Sequence, residues 1–441
     1  METVQSVLGL LGDAVVQLAL QPFYYIAVLF IILQYRRQIS LERKLFAVKL
    51  HDTMGLVLRA LLSGLLIGLG ASIVGAFVGA ALTADAVLWL WVIAVVLMLV
   101  RIRYLCFAYS AGIITLLQWG AGFTSLADRD DWLGSLASSL ADIDAAGLLL
   151  LVALLHLAEA VLVSWQGTQL STPLFLEGKR GKLIGGYMLQ GFWPVPLFLF
   201  VPIAGTGQEG GADQASALHA TWHTLFQGGG SQGWTILALP MIIGFTELTR
   251  SMLPKAKAKH AAKGLMLYSI LLAGASLLAW WQSATLPLAA LLSIVLHEAI
   301  TWRSSIVESS RQPMYVHDER GLKLLGVVPG TPAEAMGLSA GEILYKVNGM
   351  KVSSKEELYE ALLLNSAFCK LEVLNNDGEP KFAQRARYAG EHHQLGVILA
   401  PDEQANYYAA SGPSSLIQLL KGRRASHRRD STAPAEGQIE G

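Results

Sequence analysis

Long apolar segments, separated by short charged loops, fill the first two-thirds of this chain. A helix needs about 20 mostly apolar residues to cross the hydrocarbon core of a bilayer. The sequence therefore predicts a membrane domain of about eight or nine helices over residues 1–303. The predicted spans are Ala14–Leu33, Ala60–Leu82, Ala86–Val100, Tyr104–Phe123, Ala145–Trp165, Leu183–Ala204, Gly233–Leu248, Gly264–Trp281 and Thr285–Trp302. Two of them are short, and Val4–Leu20 is alternatively a re-entrant or interfacial helix.

The charge content agrees with a membrane chain. Only 15% of the residues are charged, against about 25% in soluble proteins, and the deficit lies before Ser304. The formal net charge of +0 gives no support to nucleic-acid binding. The first residues lack the basic, apolar and cleavage regions of a signal peptide, so none is expected. Cys106 and Cys369 are too few for a disulfide framework and are predicted to be reduced packing residues.

Basic residues mark the loops that are expected on the cytoplasmic side of the membrane. Four basic clusters alternate with acidic or uncharged loops, and this alternation predicts that everything after Trp302 lies in the cytoplasm. The clusters are Arg36–Lys49, Arg101–Arg103, Lys179–Lys182 and Arg250–Lys263. The sequence thus predicts a multi-pass protein of the cell membrane with a cytoplasmic C-terminal part.

Ionisable residues inside apolar segments are functional hypotheses, because charges are costly in lipid. His156 and Glu159 share a helix face at spacing i, i+3, and they form either a packing or interfacial pair or a functional one. Glu247, His297 and Glu298 lie near predicted cytoplasmic ends and are expected to reach the interface. The pattern predicts no catalytic residue and no metal ligand.

Small residues and prolines set the packing of two predicted spans. Gly70-Ala71-Ser72 is predicted to belong to a small-residue packing face, with Gly64, Gly68, Gly75 and Gly79 beside it. Pro194 and Pro196 are expected to break or kink their helix, which neighbouring helices can tolerate.

Helix-start signals appear after the last apolar segment. Thr331 is a predicted N-cap followed by Pro332, and Glu334 completes a capping box. Ser354 and Glu357 form a second capping box, before a longer amphipathic helix. These signals predict two helices in a soluble domain over residues 314–401.

Turn signals divide the rest of that domain into strands. Asn348-Gly349 is the sequence of a type I′ hairpin. The predicted strands are Ile343–Val347, Lys370–Asn375, Lys381–Arg387 and Leu395–Ala400. The soluble domain is therefore predicted to be a β-rich α+β fold.

This order of turn, short helix, hairpin, longer helix and further strands resembles a bacterial PDZ domain. The matching residues are Val327–Ala333, Gly337-Leu338, Gly341–Leu344, Val347–Gly349 and Lys351-Val352. The resemblance implies that an extended peptide adds to a sheet edge, with backbone hydrogen bonds for affinity and side-chain pockets for specificity.

The resemblance also implies a Φ-Gly-Φ loop (Φ is an apolar residue) whose N–H groups meet a peptide carboxylate. Leu395-Gly396-Val397 is the better candidate, and Leu325-Gly326-Val327 is the second. The first lies at the end of the domain, whereas many bacterial PDZ domains carry this loop before the first strand. Binding of a free C-terminus therefore stays open, as does a plain strand role for Gly396. Leu358 and Leu362 face either the groove or the domain core.

A multi-pass region followed by one cytoplasmic PDZ domain resembles the MinJ family of Gram-positive cell-division topology proteins. The segments Pro22-Phe23-Tyr24 and Gln34-Tyr35-Arg36-Arg37 belong to that resemblance. It implies a scaffold at the membrane, at septa and poles, which links the curvature protein DivIVA to the division inhibitor MinD. It implies neither enzyme chemistry nor a cofactor.

Two other classes remain as alternatives. A site-2-type intramembrane protease needs HExxH, but His297-Glu298 is followed by Thr301 where the second histidine should be. No soluble segment before Ser304 is long enough for the protease domain of an HtrA-type enzyme. A membrane transporter with a regulatory PDZ domain rests on the helix count alone.

The tail, residues 402–441, is polar and is expected to be disordered. Its basic residues are Lys421, Arg423, Arg424, Arg428 and Arg429. They belong either to a solvated segment or to a contact with anionic membrane lipid.

Overall fold

The computed structural model describes residues 2–79, 82, 84–178, 182–202, 223–224, 228–229, 234–365, 367–388, 395–401, 407–409 and 426–428. The helices before the soluble domain are α1 (Glu2–Leu20), α2 (Pro22–Phe46), α3 (Thr53–Val78), α4 (Ala84–Val100), α5 (Phe107–Ala121), α6 (Trp132–Ala141), α7 (Ala145–Gln166), α8 (Pro254–Trp281) and α9 (Leu286–Ser310). A short 3-10 helix at Ile102–Leu105 joins α4 to α5.

The strands form two main sheets. The strands between α7 and α8 are β1 (Ser171–Glu177), β2 (Leu183–Pro202), β3 (His223–Thr224), β4 (Gly228–Gly229) and β5 (Trp234–Thr249). Those of the soluble domain are β6 (Leu322–Val327), β7 (Ile343–Val347), β8 (Met350–Lys351), β9 (Phe368–Leu374), β10 (Pro380–Ala386) and β11 (Val397–Leu399), with the helices α10 (Pro332–Ala335) and α11 (Lys355–Leu363) between them. Two short tail strands are β12 (Tyr407–Ala409) and β13 (Ser426–Arg428).

Among the described residues, four helical stretches are long and apolar enough to cross a membrane: α3, α7, α8, and α9 with the turn before it. A fifth crossing results if the bent pair α1–α2 is counted as one. The predicted span Ala14–Leu33 is broken at Gln21, where the two helices meet at 61°. Pro22 lacks the N–H that would continue the α1 ladder and instead starts α2.

Two of the predicted membrane helices are wrong. Leu183–Ala204 and Gly233–Leu248 correspond in the described residues to β2 and β5, which pair antiparallel from Tyr187↔Thr249 to Pro202↔Trp234. A continuous apolar run does not distinguish a buried strand from a buried helix. Here the two long strands satisfy each other's backbone groups, and helices cover the hairpin they form.

The outer edge of β2 is nearly free of unpaired N–H groups. Pro194 and Pro196 have none, while the N–H of Phe198 donates to Ser72 Oγ at 2.8 Å. At the other end of this edge, the Phe192 N–H donates to Tyr35 Oη at 3.4 Å. Buried backbone donors need partners, so these contacts allow a strand edge to lie among apolar helices.

The predicted small-residue face of α3 is confirmed at Gly64, Gly68 and Ser72 but is wrong at Gly70, which is exposed and whose added Cβ would meet nothing within 4 Å. A Cβ added to Gly64 would lie 2.1 Å from the Pro194 carbonyl oxygen, and one added to Gly68 would lie 2.3 Å from that of Pro196. Four residues of a helix rise about 6 Å and two residues of a strand rise about 6.6 Å, so the contacts repeat in step. Ser72 continues the same spacing.

Helix α1 covers the far end of the hairpin. Leu10, Ala14 and Leu18 form a buried cluster with Phe198 and Ile236. At the bend after α1, Gln21 Nε2 donates to the Ala238 carbonyl oxygen of β5 at 3.0 Å. The hairpin is thus held from both edges by side chains of the first three helices and by Gln21, which lies between α1 and α2.

The soluble domain has the predicted α+β fold, with the strand order β10-β9-β7-β6-β11 and β8 paired to β7. The type I′ turn is confirmed, because Asn348 and Gly349 both have positive φ, at 50° and 87°. The Ser354 cap is also confirmed, with its Oγ 3.2 Å from the Glu357 N–H.

The first capping box is only partly as predicted. Thr331 Oγ1 donates to the Val328 carbonyl oxygen at 2.6 Å and does not cap α10. Glu334 accepts the N–H of Gly330 at 2.7 Å. Both side chains thus brace the turn before α10, and the same turn packs against the loop before β11.

Most of the tail lies outside the described residues, including the basic residues Lys421, Arg423, Arg424 and Arg429. The segment expected to be disordered contains β12 and β13, which pair with each other, while Ala409 of β12 pairs with Leu176 of β1. Arg428 is the last residue of β13.

Candidate functional site

The last strand of the soluble domain, β11, is an edge strand. It pairs with β6 on one side. The Val328 N–H donates to the Gly396 carbonyl oxygen, and the Ala400 N–H donates to the Lys323 carbonyl oxygen, both at 2.8 Å. Because backbone groups alternate in direction along a strand, those of Val397 and Leu399 point away from β6. This edge can therefore accept an added peptide strand.

The loop before β11 has a conformation that requires its glycine. Leu395 and Gly396 have φ of 60° and 79°. A Cβ on Gly396 would lie 2.3–2.5 Å from the side chain of Thr331. The Leu395 carbonyl oxygen accepts the Ala333 N–H at 2.9 Å. Gly396 is therefore a turn glycine in close contact with the turn before α10.

The structure places the other predicted peptide-binding residues elsewhere. Leu358 and Leu362 of α11 are 4% and 1% exposed and lie in the same core cluster as Leu395. Leu325-Gly326-Val327 belongs to β6, an inner strand between β7 and β11. Its backbone groups serve those neighbours and, at the Leu325 carbonyl oxygen, the hydroxyl of Tyr187.

The soluble domain docks on the end of the β1–β2 sheet through tyrosines. The Gly185 N–H donates to the Tyr315 carbonyl oxygen at 2.7 Å, and the rings of Tyr187 and Tyr315 lie 5.4 Å apart. Tyr315 is fully buried, and Leu325 and Ile398 belong to the same cluster as Tyr187. One face of the domain thus contacts the membrane domain, and no strand of the described residues pairs with the outer edge of β11.

A buried lysine holds the base of the membrane domain together. Lys257 Nζ lies 3.1 Å from Glu247, 3.5 Å from Glu308 and 2.8 Å from Ser304 Oγ. Glu308 also accepts the Arg250 N–H at 3.2 Å. Glu247 was expected to reach the interface, but it is instead one partner in this network. The network links β5, α8 and the end of α9, from which the chain leads to the soluble domain.

A second polar cluster joins residues from three separate segments. Cys106 Sγ lies 3.3 Å from His156 Nε2 and 3.5 Å from His297 Nε2. These three ligand atoms all lie within 4.8 Å of one another, so the trio could hold a metal ion. Glu159, the expected partner of His156, does not belong to the trio.

Sequence reasoning treated Cys106 as a packing residue and missed this cluster. The separations of 50 and 191 residues from Cys106 to the two histidines match no local ligand motif. Glu298, next to His297, binds Arg103 and accepts the Tyr109 hydroxyl at 2.9 Å. The sequence did mark His156 and His297, each inside an apolar segment, but nothing in it connected the two histidines with each other or with Cys106.

The fold and the open edge define a membrane protein that carries a PDZ domain. The family model for the PDZ domain matches residues 324–371 of the chain. The chain is 30% identical over 404 residues to the cell division topological determinant MinJ of Bacillus subtilis (strain 168), covering 88% of this chain and 94% of the relative. It is also 30% identical over 298 residues to a probable MinJ of Lacticaseibacillus paracasei, covering 65% and 73%.

The chain therefore belongs to the MinJ family of cell division topological determinants. No solved structure matches it. The family assignment expected from the sequence is confirmed.

Proposed function

We propose that this chain is a non-enzymatic, multi-pass membrane adaptor that links DivIVA to MinD when the division site is placed. The open β11 edge of a PDZ domain docked on the membrane domain is the observation that carries the proposal. Family membership over nearly the full length of the Bacillus subtilis relative gives the process. One partner adds a strand to β11, and the other contacts a different surface of the chain.

The PDZ domain lies on the cytoplasmic side in this proposal. Its docking contacts include the Arg250 carbonyl oxygen, which accepts the Met314 N–H at 2.7 Å. Arg250 begins one basic cluster, and Lys182, three residues before Gly185, belongs to another. Basic loops stay on the cytoplasmic side of a membrane, which supports this orientation. DivIVA and MinD would then be reached at septa and poles.

The peptide-binding site consists of the loop Leu395-Gly396-Val397 and the β11 edge after it. The outward N–H and carbonyl groups of Val397 and Leu399 would form the backbone hydrogen bonds to an added peptide strand. Leu358 and Leu362 support the site from the core side, and Leu325-Gly326-Val327 serves the docking surface.

An adaptor without catalysis agrees with the surroundings of Glu298. A general base must reach a substrate proton, but this carboxylate is engaged by Arg103 and by the Tyr109 hydroxyl. Thr301, at the position of the second histidine in HExxH, donates to the His297 carbonyl oxygen at 3.1 Å. Both side chains are occupied in holding α9.

Two variants of one edge residue test the peptide site. Leu399→Pro removes the outward N–H of β11, and Leu399→Ala removes the same side chain but keeps that N–H. The full-length protein in detergent is tested for binding of purified DivIVA and MinD. We expect wild type and Leu399→Ala to bind both, and Leu399→Pro to lose about tenfold in affinity for one, since an unpaired peptide carbonyl costs about 1–3 kcal/mol.

Fluorescence imaging in a rod-shaped Gram-positive bacterium tests the proposed role in division-site placement. A fluorescent copy should gather at septa and poles when DivIVA is present and spread over the membrane when DivIVA is deleted. Wild type that binds neither protein would rule out the link. Equal binding by both Leu399 variants would rule out the β11 edge and leave the family role intact.

A further inference from the structure

The cluster of Cys106, His156 and His297 brings together three elements of the membrane domain. Cys106 precedes α5, His156 lies in the middle of α7, and His297 lies in α9. The sulfur is 3.3 Å from one imidazole nitrogen and 3.5 Å from the other. These separations suit either S–H···N hydrogen bonds or the shared coordination of one metal ion.

A hydrogen bond fixes the tautomer of His156, so that its second ring nitrogen presents a lone pair to the sulfur. His156 Nδ1 lies 2.8 Å from the Val152 carbonyl oxygen. A carbonyl oxygen only accepts, so Nδ1 carries the proton. In the neutral ring, Nε2 then presents its lone pair to Cys106. Metal-binding histidines are oriented in this way by a second hydrogen bond.

A chain of side chains fixes His297 in the same tautomer. Arg103 holds Glu298 as a carboxylate, and the Tyr109 hydroxyl donates to Glu298 at 2.9 Å. The proton of Tyr109 is therefore used, and its oxygen accepts from His297 Nδ1 at 3.0 Å. His297 Nε2 is left as a lone pair that also faces Cys106.

The cluster lacks the protons that would satisfy it by hydrogen bonds alone. Two imidazole lone pairs face one thiol, which has a single S–H to donate. Within the part of the chain that the structure describes, one lone pair of this partly buried cluster would be left without a donor, which is costly. A metal cation satisfies both nitrogens and the thiolate at the same time.

The distances also agree with one ion at the centre. With Zn–S of about 2.3 Å and Zn–N of about 2.0–2.1 Å, tetrahedral angles place sulfur and nitrogen about 3.5 Å apart. The observed separations are 3.3 Å and 3.5 Å. One thiolate and two imidazoles suit Zn²⁺ rather than a hard cation such as Mg²⁺.

We propose that Cys106 Sγ, His156 Nε2 and His297 Nε2 bind a single Zn²⁺-type transition-metal ion that joins the start of α5 to α7 and α9. As the ion binds, the thiol proton of Cys106 leaves to water. Water completes a tetrahedral shell as the fourth ligand. The site fixes the position of α9, the helix that leads to the PDZ domain.

Cobalt provides the test, because Co²⁺ bound by a thiolate has a charge-transfer band and visible d–d bands. The full-length protein in nanodiscs is stripped with a chelator and titrated with Co²⁺ and then Zn²⁺, with metal content measured by mass spectrometry. We expect equimolar Co²⁺ with the thiolate band, displacement of Co²⁺ by Zn²⁺, and a higher melting temperature with either ion.

The variants separate ligands from neighbours. His156→Asn and His297→Asn keep a donor near Nδ1 and remove Nε2, and Cys106→Ser removes the thiolate; each should lose the band. Tyr109→Phe removes the partner of His297 Nδ1 and should weaken binding about 10–100-fold. Cys369→Ser and His260→Asn change the same residue types elsewhere and should bind as wild type does.

Four results would overturn the proposal, and the first three are read on the wild-type protein, so they do not depend on the folding of a variant. The first is stripped wild type that takes up no Co²⁺ or Zn²⁺. The second is Co²⁺ uptake without the thiolate band, and the third is a metal-free protein with the absorbance of a Cys–His thiolate–imidazolium pair. The fourth is unchanged metal affinity in a folded Cys106→Ser protein.

Discussion

At Gly64 the absence of a side chain lets α3 lie directly on the backbone of β2. The carbonyl oxygen of Pro194 occupies the place where a Cβ would be, at 2.1 Å. Gly68 repeats the contact one helical turn later, against Pro196. Neither neighbouring atom can move without shifting a strand, because both belong to the backbone.

Gly64→Ala should therefore destabilise the membrane domain by about 1–3 kcal/mol, the usual cost of overpacking. Gly70→Ala on the same helix is the matched control, since nothing lies within 4 Å of its added Cβ. Melting temperatures in detergent compare the two. Equal melting of both variants would mean that α3 and β2 are not in close contact.

Burial raises the pKa of Cys369 in the PDZ core from 9.0 to about 11. Through that pH range the folded domain keeps the thiol proton while the unfolded chain loses it, so folding becomes less favourable as the pH rises. Alkylation of Cys369, read by peptide mass spectrometry, should rise near pH 11 in the native protein. In the same protein unfolded in urea it should rise near pH 9, and coincident curves would contradict the burial.

Local signals made single residues of the PDZ domain predictable. Asn348-Gly349 and Ser354 act within a few positions of themselves, so their turn and cap could be assigned from sequence. The cluster of Cys106, His156 and His297 could not, because its members come from three segments that only the packing of helices brings together.

Among the elements, β2 and β5 show where a hydropathy pattern stops being informative. Both are long apolar runs, and length favoured a membrane helix for each. What makes them strands is their pairing with each other over sixteen residue pairs and the cover given by α1 and α3. Pro194, Pro196 and Pro240 disfavour a helix. They do not by themselves indicate a strand, because the sequence does not show which segment would pair with it.

The contact between β5, α8 and α9 depends on a buried charge. Lys257→Met should lower the free energy of unfolding by about 3 kcal/mol, the lower end of the range for a broken buried ion pair. The lower end applies because the side chains of Glu247 and Glu308 are 21% and 12% exposed and so remain partly hydrated. Lys259→Met, two positions along the same helix and exposed, is the control. Thermal melting in detergent measures both, and a loss that is equal for the two variants would argue against the network.

For the whole molecule, the docking of the PDZ domain determines where its β11 edge is presented. Gly185 lies at the centre of that contact, where a Cβ would meet Tyr315 Cβ at 2.8 Å and Leu325 Cδ1 at 2.9 Å. Gly326 lies in the same contact, but there the nearest atom would be Tyr187 Oη at 3.4 Å.

Gly185→Ala should weaken the docking of the PDZ domain on the membrane domain, and Gly326→Ala should weaken it much less. Trypsin cleavage after Arg311, an exposed residue between α9 and the PDZ domain, reports the change. We expect cleavage of the Gly185 variant to be about tenfold faster, since about 1–3 kcal/mol of overpacking acts on the docked state. Equal rates for both variants would mean that this contact does not hold the domain.

The hairpin of β2 and β5 also sets an order of assembly in the cell. A helix can leave the translocation channel alone with its backbone satisfied, but a bare strand pair cannot. Tyr35, Ser72 and Gln21, which bind its edges, all lie in or beside the first three helices and are synthesised earlier. We therefore expect the first three helices to insert into the bilayer before the hairpin, which then packs against them.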